Sequence, residues 1–177
     1  MTFKTSTDLP LLGFAAYSGT GKTTLLTQLI PLLKQQSLRL AVIKLSHHDF
    51  EIDKPGKDSY ELHHAGSSQT LLISSYRSAL ITERQPAQEP TLAEALQQIN
   101  PTTIDLVLVE GFRHDNTLPR IELHRPSLGK PLLYPEHRNI IAIASDQPLD
   151  TELPLLDINQ PETIANFIVD KVIKPTR

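Results

Sequence analysis

Residues 18–24 read Ser-Gly-Thr-Gly-Lys-Thr-Thr, a run of two glycines, four hydroxyls and one lysine whose chemistry suits phosphate. Glycines two apart allow the dihedral angles that turn successive backbone N–H groups toward one point. A helix starting near Lys22 would add unsatisfied N–H groups and the positive end of a dipole. In this spacing Lys22 reaches the β- and γ-phosphates, the Thr23 hydroxyl ligates Mg²⁺, and Thr24 offers a second hydroxyl to the α-phosphate. Ser18, Gly19, Thr20, Gly21, Lys22, Thr23 and Thr24 are therefore the expected phosphate-binding residues. The general pattern G-x-x-x-x-G-K-[ST] begins with glycine where this chain has Ala16. That position is a strand-to-loop junction where size is limiting, and alanine is the mildest departure. A dinucleotide fingerprint is excluded, because its third glycine falls on Thr24.

A phosphate loop works with carboxylates at neighbouring strand ends. Glu110 closes the apolar run "LVLVEG" and is expected to orient water and to hold the metal with Thr23. Asp49, in "LSHHDF", is the second catalytic candidate, as general base or as a partner behind the metal. Arg113, Arg120 and Arg125 are each read either as a charge for a transferring phosphoryl group or as solvated surface. His47, His48, His63 and His64 repeat no ligand spacing, and adjacent side chains point to different faces, so no histidine metal site is expected. With no cysteine and no G-x-S-x-G, thiolate chemistry and a hydrolase elbow drop out.

The elements that must position these groups alternate between strand and helix. Short apolar runs at 9–16, 38–45, 104–112 and 139–146 predict buried strands of a parallel sheet. Leu25, Leu26, Leu29 and Leu33 share one stripe of a helix over 22–36, which Pro31 should kink at a cost of roughly 3 kcal/mol. A short helix is expected over 56–66, two strands joined near Tyr76 over 69–75 and 77–83, and a loop over 85–90. A helix follows at 91–99, an edge strand at 120–126 with a proline-containing loop after it, and a last helix at 161–173. This is an α/β, three-layer P-loop NTPase-like arrangement with a mostly parallel sheet and a β-hairpin extension.

Bulk properties narrow the classes. A chain of 177 residues is the size of one domain, expected here over 1–177 with its core at about 10–173. Its apolar fraction of 39% and charged fraction of 21% are those of a globular protein. No apolar run reaches a membrane span and the N-terminus lacks a signal-peptide pattern, so a cytoplasmic location is expected. A net charge of -3 gives no footprint for nucleic acid.

The segments "GFAAYSGTGKTTLL", "IKLSHHDFEIDKPGKDSYELHHAGSSQT", "LVLVEGFRH" and "IAIASDQPL" together resemble the MobB family of molybdopterin-guanine dinucleotide biosynthesis adapters. The resemblance spans about residues 10–170 and is most specific over 42–70. It implies a GTP-binding protein with weak hydrolysis, Mg²⁺ and GTP as cofactors, and a homodimer. It also implies the guanylyltransferase MobA, with molybdopterin-carrying proteins, as partners. Gly19, Gly21, Lys22, Thr23 and Glu110 match the family's phosphate and metal positions, and Lys57 and Asp58 fall in its "DKPGKDS" segment, near nucleotide or partner. GTPases commonly read guanine through the aspartate of N-K-x-D; here "ASD" offers Asp146 without the Asn and Lys. Asp146 is thus either base reader or a helix or turn cap. Two other functions compete: a P-loop small-molecule kinase with an arginine lid, and a non-catalytic nucleotide-binding interaction module.

Overall fold

The computed structural model describes residues 9–174. The signal-peptide reading rests in part on residues 1–8, which lie outside the described residues. In chain order the first elements are β1 (Leu11–Ala16), α1 (Lys22–Gln35), β2 (Leu40–Lys44), α2 (Asp58–His64), β3 (Gln69–Ile73) and β4 (Ser78–Thr82). There follow α3 (Leu92–Leu96), β5 (Leu106–Glu110), β6 (Arg120–His124), β7 (Ile140–Ser145), β8 (Leu155–Asp157) and α4 (Pro161–Ile168). The chain divides into two compact units, one of Met1–Leu45 with Thr91–Arg177 and one of Ser46–Pro90.

The larger unit is built on a six-stranded sheet in the order β2-β5-β1-β6-β7-β8, with every pairing parallel. Alternation along the strands divides its side chains between two faces. On one, Leu12, Phe14, Leu108, Ile121 and Leu123 pack with Leu25, Leu29 and Leu33 of α1 and with Ile164 and Ile168 of α4. On the other, Leu11, Val107, Val109 and Leu118 pack with Leu92 and Leu96 of α3. The result is the expected helix–sheet–helix layering.

The leucine stripe of α1 is buried as its spacing predicts, and the helix runs unbroken through Pro31. A capping box starts α3: Thr91 accepts from the Glu94 amide while Glu94 accepts from the Thr91 amide. The expected helix over 161–173 is two pieces, α4 and a π turn at Val169–Ile173.

Two strand expectations need correcting. The segment 120–126 was expected at an edge, yet β6 lies inside the sheet between β1 and β7, buried at every position. Arg120 and Glu122 are accommodated by specific partners. Glu122 accepts from the amides of Leu133 and Tyr134, and burial still pushes its pKa up. Its prolines, Pro119 and Pro126, lie outside Arg120–His124 and cost the ladder nothing. The segment 38–45 was expected to be buried, yet β2 is an edge strand with Val42 half exposed. Its apolar sequence pairs with β5 on one side alone.

In the smaller unit β3 and β4 form the expected antiparallel hairpin, with Leu71 opposite Leu80. Asp53 bonds the hydroxyl of Ser59 and accepts from the Lys54 amide, and these bonds hold its pKa low.

Candidate phosphate-binding site

Where β1 ends at Ala16 the chain turns through Tyr17–Gly21 into α1. Gly19 and Gly21 have φ of 82° and 96°, in the left-handed region. Thr20 is buried and donates its hydroxyl to the Tyr17 carbonyl at 2.6 Å, so it shapes the loop from inside while Ser18 and Gly19 face solvent. Gly21 is the N-cap of α1 and brings no side-chain acceptor, which leaves the first-turn N–H groups without a capping side chain. Thr23 and Thr24 stand exposed on that turn.

The sheet register brings the acidic residue to this turn. Glu110 sits opposite Phe14 of β1 and Lys44 of β2 at the C-terminal ends of the strands. Its carboxylate lies 3.3 Å from Lys22 Nζ and 3.8 Å from Lys44 Nζ. After Glu110 the backbone bends sharply through Gly111 (φ 102°) and Phe112 (φ 52°). Arg120, nearly buried, secures the bend by donating to the carbonyls of Gly111, Phe112 and Asp115. Burial lowers the pKa of this guanidinium, an effect that Asp115 opposes. Arg120 is thus neither a mobile charge nor surface.

Asp146 follows β7. Its Oδ2 accepts from Arg125 Nη1 at 2.6 Å, and Arg125 Nε also donates to the Thr20 carbonyl at 3.0 Å. The other carboxylate oxygen, Oδ1, is buried and has no hydrogen-bond partner among the described residues. Beside Gly21 lies a pocket of about 230 Å³ with Thr24, Gln28, Arg125 and Asn159 as polar lining and Leu25 and Ile158 as apolar wall. Asp49 belongs to the smaller unit, where it is exposed and accepts from the Phe50 amide.

The donor set suits a phosphate with a hard cation. The Thr23 hydroxyl and Glu110 carboxylate are oxygen ligands, and Mg²⁺ at such sites takes one or two from the protein and the rest from phosphate and water. An orphaned buried acceptor such as Asp146 Oδ1 calls for a hydrogen-bond donor. Sequence reasoning missed Lys44 as a second cation on Glu110, Arg120 as the clamp on the bend, and Asn159. Pairing register, which no local pattern encodes, is what assembles them.

A parallel sheet whose first strand feeds a glycine turn and a lysine-headed helix defines a P-loop NTPase-like α/β protein. The family described as "MobB: Molybdopterin guanine dinucleotide synthesis protein B" matches residues 11–146, and the chain belongs to it. It is 47% identical over 165 residues to the molybdopterin-guanine dinucleotide biosynthesis adapter protein of Escherichia coli K12, covering 93% of this chain and 94% of that one. The adapter protein of Haemophilus influenzae is 47% identical over 163 residues, with 91% and 88% covered. A crystal structure of molybdopterin-guanine biosynthesis protein B superposes with a TM-score of 0.68 at 26% identity, covering 90% of this chain and 97% of that one. Bacillus subtilis MobB, at 18% identity, shares the fold with the same score over 94% and 100%.

Proposed function

We propose that this chain is an adapter in the assembly of molybdopterin guanine dinucleotide, binding GTP with Mg²⁺ at residues 18–24 and hydrolysing it slowly. Family membership and the adapter names of its relatives support the pathway. The observation that carries the nucleotide reading is Lys22, at the head of α1 beside two left-handed glycines and within 3.3 Å of Glu110. Lys22 and the N–H groups from Gly19 to Thr24 take the β- and γ-phosphates, and Ser18 and Thr24 add hydroxyl contacts. Thr23 and Glu110 hold Mg²⁺, which when bound neutralises phosphate charge. Glu110 also orients the attacking water, and Asp146 reads the guanine edge.

The lid required by a kinase has little support. Arg120 is locked in the interior and Arg125 is tied to Thr20 and Asp146, which leaves Arg113 exposed beside His114. We further propose a homodimer that works beside the guanylyltransferase MobA and molybdopterin-carrying proteins in the cytoplasm. Exposed Leu71, Ile73, Tyr76 and Leu80 around the hairpin support a protein contact there. No described helix is long and apolar enough to cross a membrane.

The test is displacement of a fluorescent guanine nucleotide by GTP and by ATP, with Mg²⁺, followed by phosphate release. Preferential displacement by GTP with slow release is the expected result. Equal displacement by both would sink the guanine assignment, and no binding of either would sink the site.

A further inference from the structure

The nucleotide reading above leaves one gap: three and two residues before Asp146 stand Ile143 and Ala144, which carry neither the amide nor the cation that precedes a base-reading aspartate in N-K-x-D. A cation is nevertheless present, delivered from the neighbouring strand. In the parallel pairing of β6 and β7, His124 stands opposite Ser145, so Arg125 and Asp146 leave the sheet side by side. On the other flank Leu123 stands opposite Ala16, which brings the same arginine beside the phosphate loop.

Arg125 is the residue that the loop, the pocket and Asp146 share. Its Nε bonds the Thr20 carbonyl at 3.0 Å and its Nη1 bonds Asp146 Oδ2 at 2.6 Å. Its Nη2 lies 4.0 Å from where a side chain on Gly21 would begin, and the guanidinium lines the pocket between Gly21 and Asn159. A planar fork makes both bonds at once in fixed geometry, which a lysine ammonium on a flexible stem cannot reproduce. Held by Oδ2, Asp146 has one oxygen left, the buried and unpartnered Oδ1.

We propose that Arg125 sets the base selectivity of the site by fixing Asp146 so that its free oxygen accepts a ring N–H. The proposal rests on the guanine-nucleotide reading and deepens it. Guanine and hypoxanthine carry an N–H at ring position 1. Adenine carries a lone pair there, which a carboxylate repels. A site built around a buried acceptor rejects a ligand lacking the donor far more strongly than an apolar pocket rejects a change of shape. Arg125 is thus a positioning residue, and the readout is a ratio of affinities.

Dissociation constants for GTP, ITP and ATP would be measured by titration calorimetry, with Mg²⁺, on the full chain and on Arg125→Met and Arg125→Lys. A uniform loss of phosphate affinity cancels in the ratios. The wild type is expected to favour GTP and ITP over ATP, Arg125→Met to lose that preference by about tenfold or more, and Arg125→Lys to fall between them. If GTP and ATP weaken by the same factor in both variants, Arg125 merely props the loop and the proposal is overturned. If selectivity survives in both but is lost in Asn159→Ala, the base is read from the turn after β8 and the proposal is again overturned. A wild type that binds GTP and ATP equally would instead refute the guanine reading itself, before any variant is considered.

Discussion

Lys22 Nζ lies 3.3 Å from Glu110 Oε1, so the cation of the glycine loop and the carboxylate of β5 are in direct contact. Both side chains are partly exposed, and such a pair is worth at most about 1 kcal/mol. A polyphosphate offers Lys22 several charge-assisted bonds in exchange, each stronger than this contact. Replacing Lys22 by alanine is therefore expected to weaken GTP binding by roughly a hundredfold. Calorimetry on Lys22→Ala gives the check, and unchanged affinity would remove the loop from the site.

Glu110→Gln separates binding from turnover. The amide keeps the size of the carboxylate but gives up the charge that faces Lys22 and Lys44. Triphosphate affinity should hold, because the two ammonium groups released toward the ligand offset the weakened contact to Mg²⁺. Hydrolysis should fall by roughly 10²-fold or more if the carboxylate orients water. Single-turnover phosphate release measures this, and a rate equal to wild type would assign Glu110 to charge balance alone.

The bend after Glu110 depends on glycine. A Cβ on Gly111 would stand 2.6 Å from Leu45 Cβ, in a backbone with φ 102° that side chains avoid. Both the strain and the collision act on the join between β2 and β5, where the Leu45 amide bonds the Glu110 carbonyl. Gly111→Ala should cost about 2–4 kcal/mol, a fall in Tm of roughly 5–15 °C for a chain of this size. Thermal unfolding followed by circular dichroism decides it; a loss below a degree would mean that the bend rearranges freely.

How far the sequence foretells this molecule depends on the range of the interaction concerned. The α1 stripe and the β3–β4 pairing follow from periods of 3.6 and 2 and are legible directly. The loop of residues 18–24 is legible because its chemistry is contiguous. Strand order is a different kind of information. The apolar run of β2 looks like that of a central strand, and the alternating Arg-Ile-Glu-Leu-His of β6 looks like that of an edge, yet the sheet reverses the two. In β6 the buried Arg120 and Glu122 find their partners outside the strand, on the 111–115 bend before it and the 133–134 amides after it. Arg125 shows the same limit at the site, since its bonds reach 105 residues back to Thr20 and 21 ahead to Asp146.

At the opposite end of β2 and β5 from Lys44 and Glu110, the Asp105 carboxylate accepts from the side chain of Arg39 at 2.7 and 2.9 Å and from its amide at 2.8 Å. The Arg39 side-chain bonds, followed by the amide bond, pull the Asp105 pKa down to about 2. Because the folded pKa lies below the unfolded value of about 3.9, the stabilisation is complete above that value and is lost as pH falls toward 2. Asp105→Asn removes the charge while keeping one acceptor. Its melting temperature should lie below wild type by a constant margin above pH ~5, and the gap should close between pH ~4 and ~2 as the wild-type carboxylate protonates. Parallel melts of the two proteins across that range provide the measurement. A gap that persists at pH ~2 would mean that hydrogen-bond geometry, and not charge, ties the edge strand to β5.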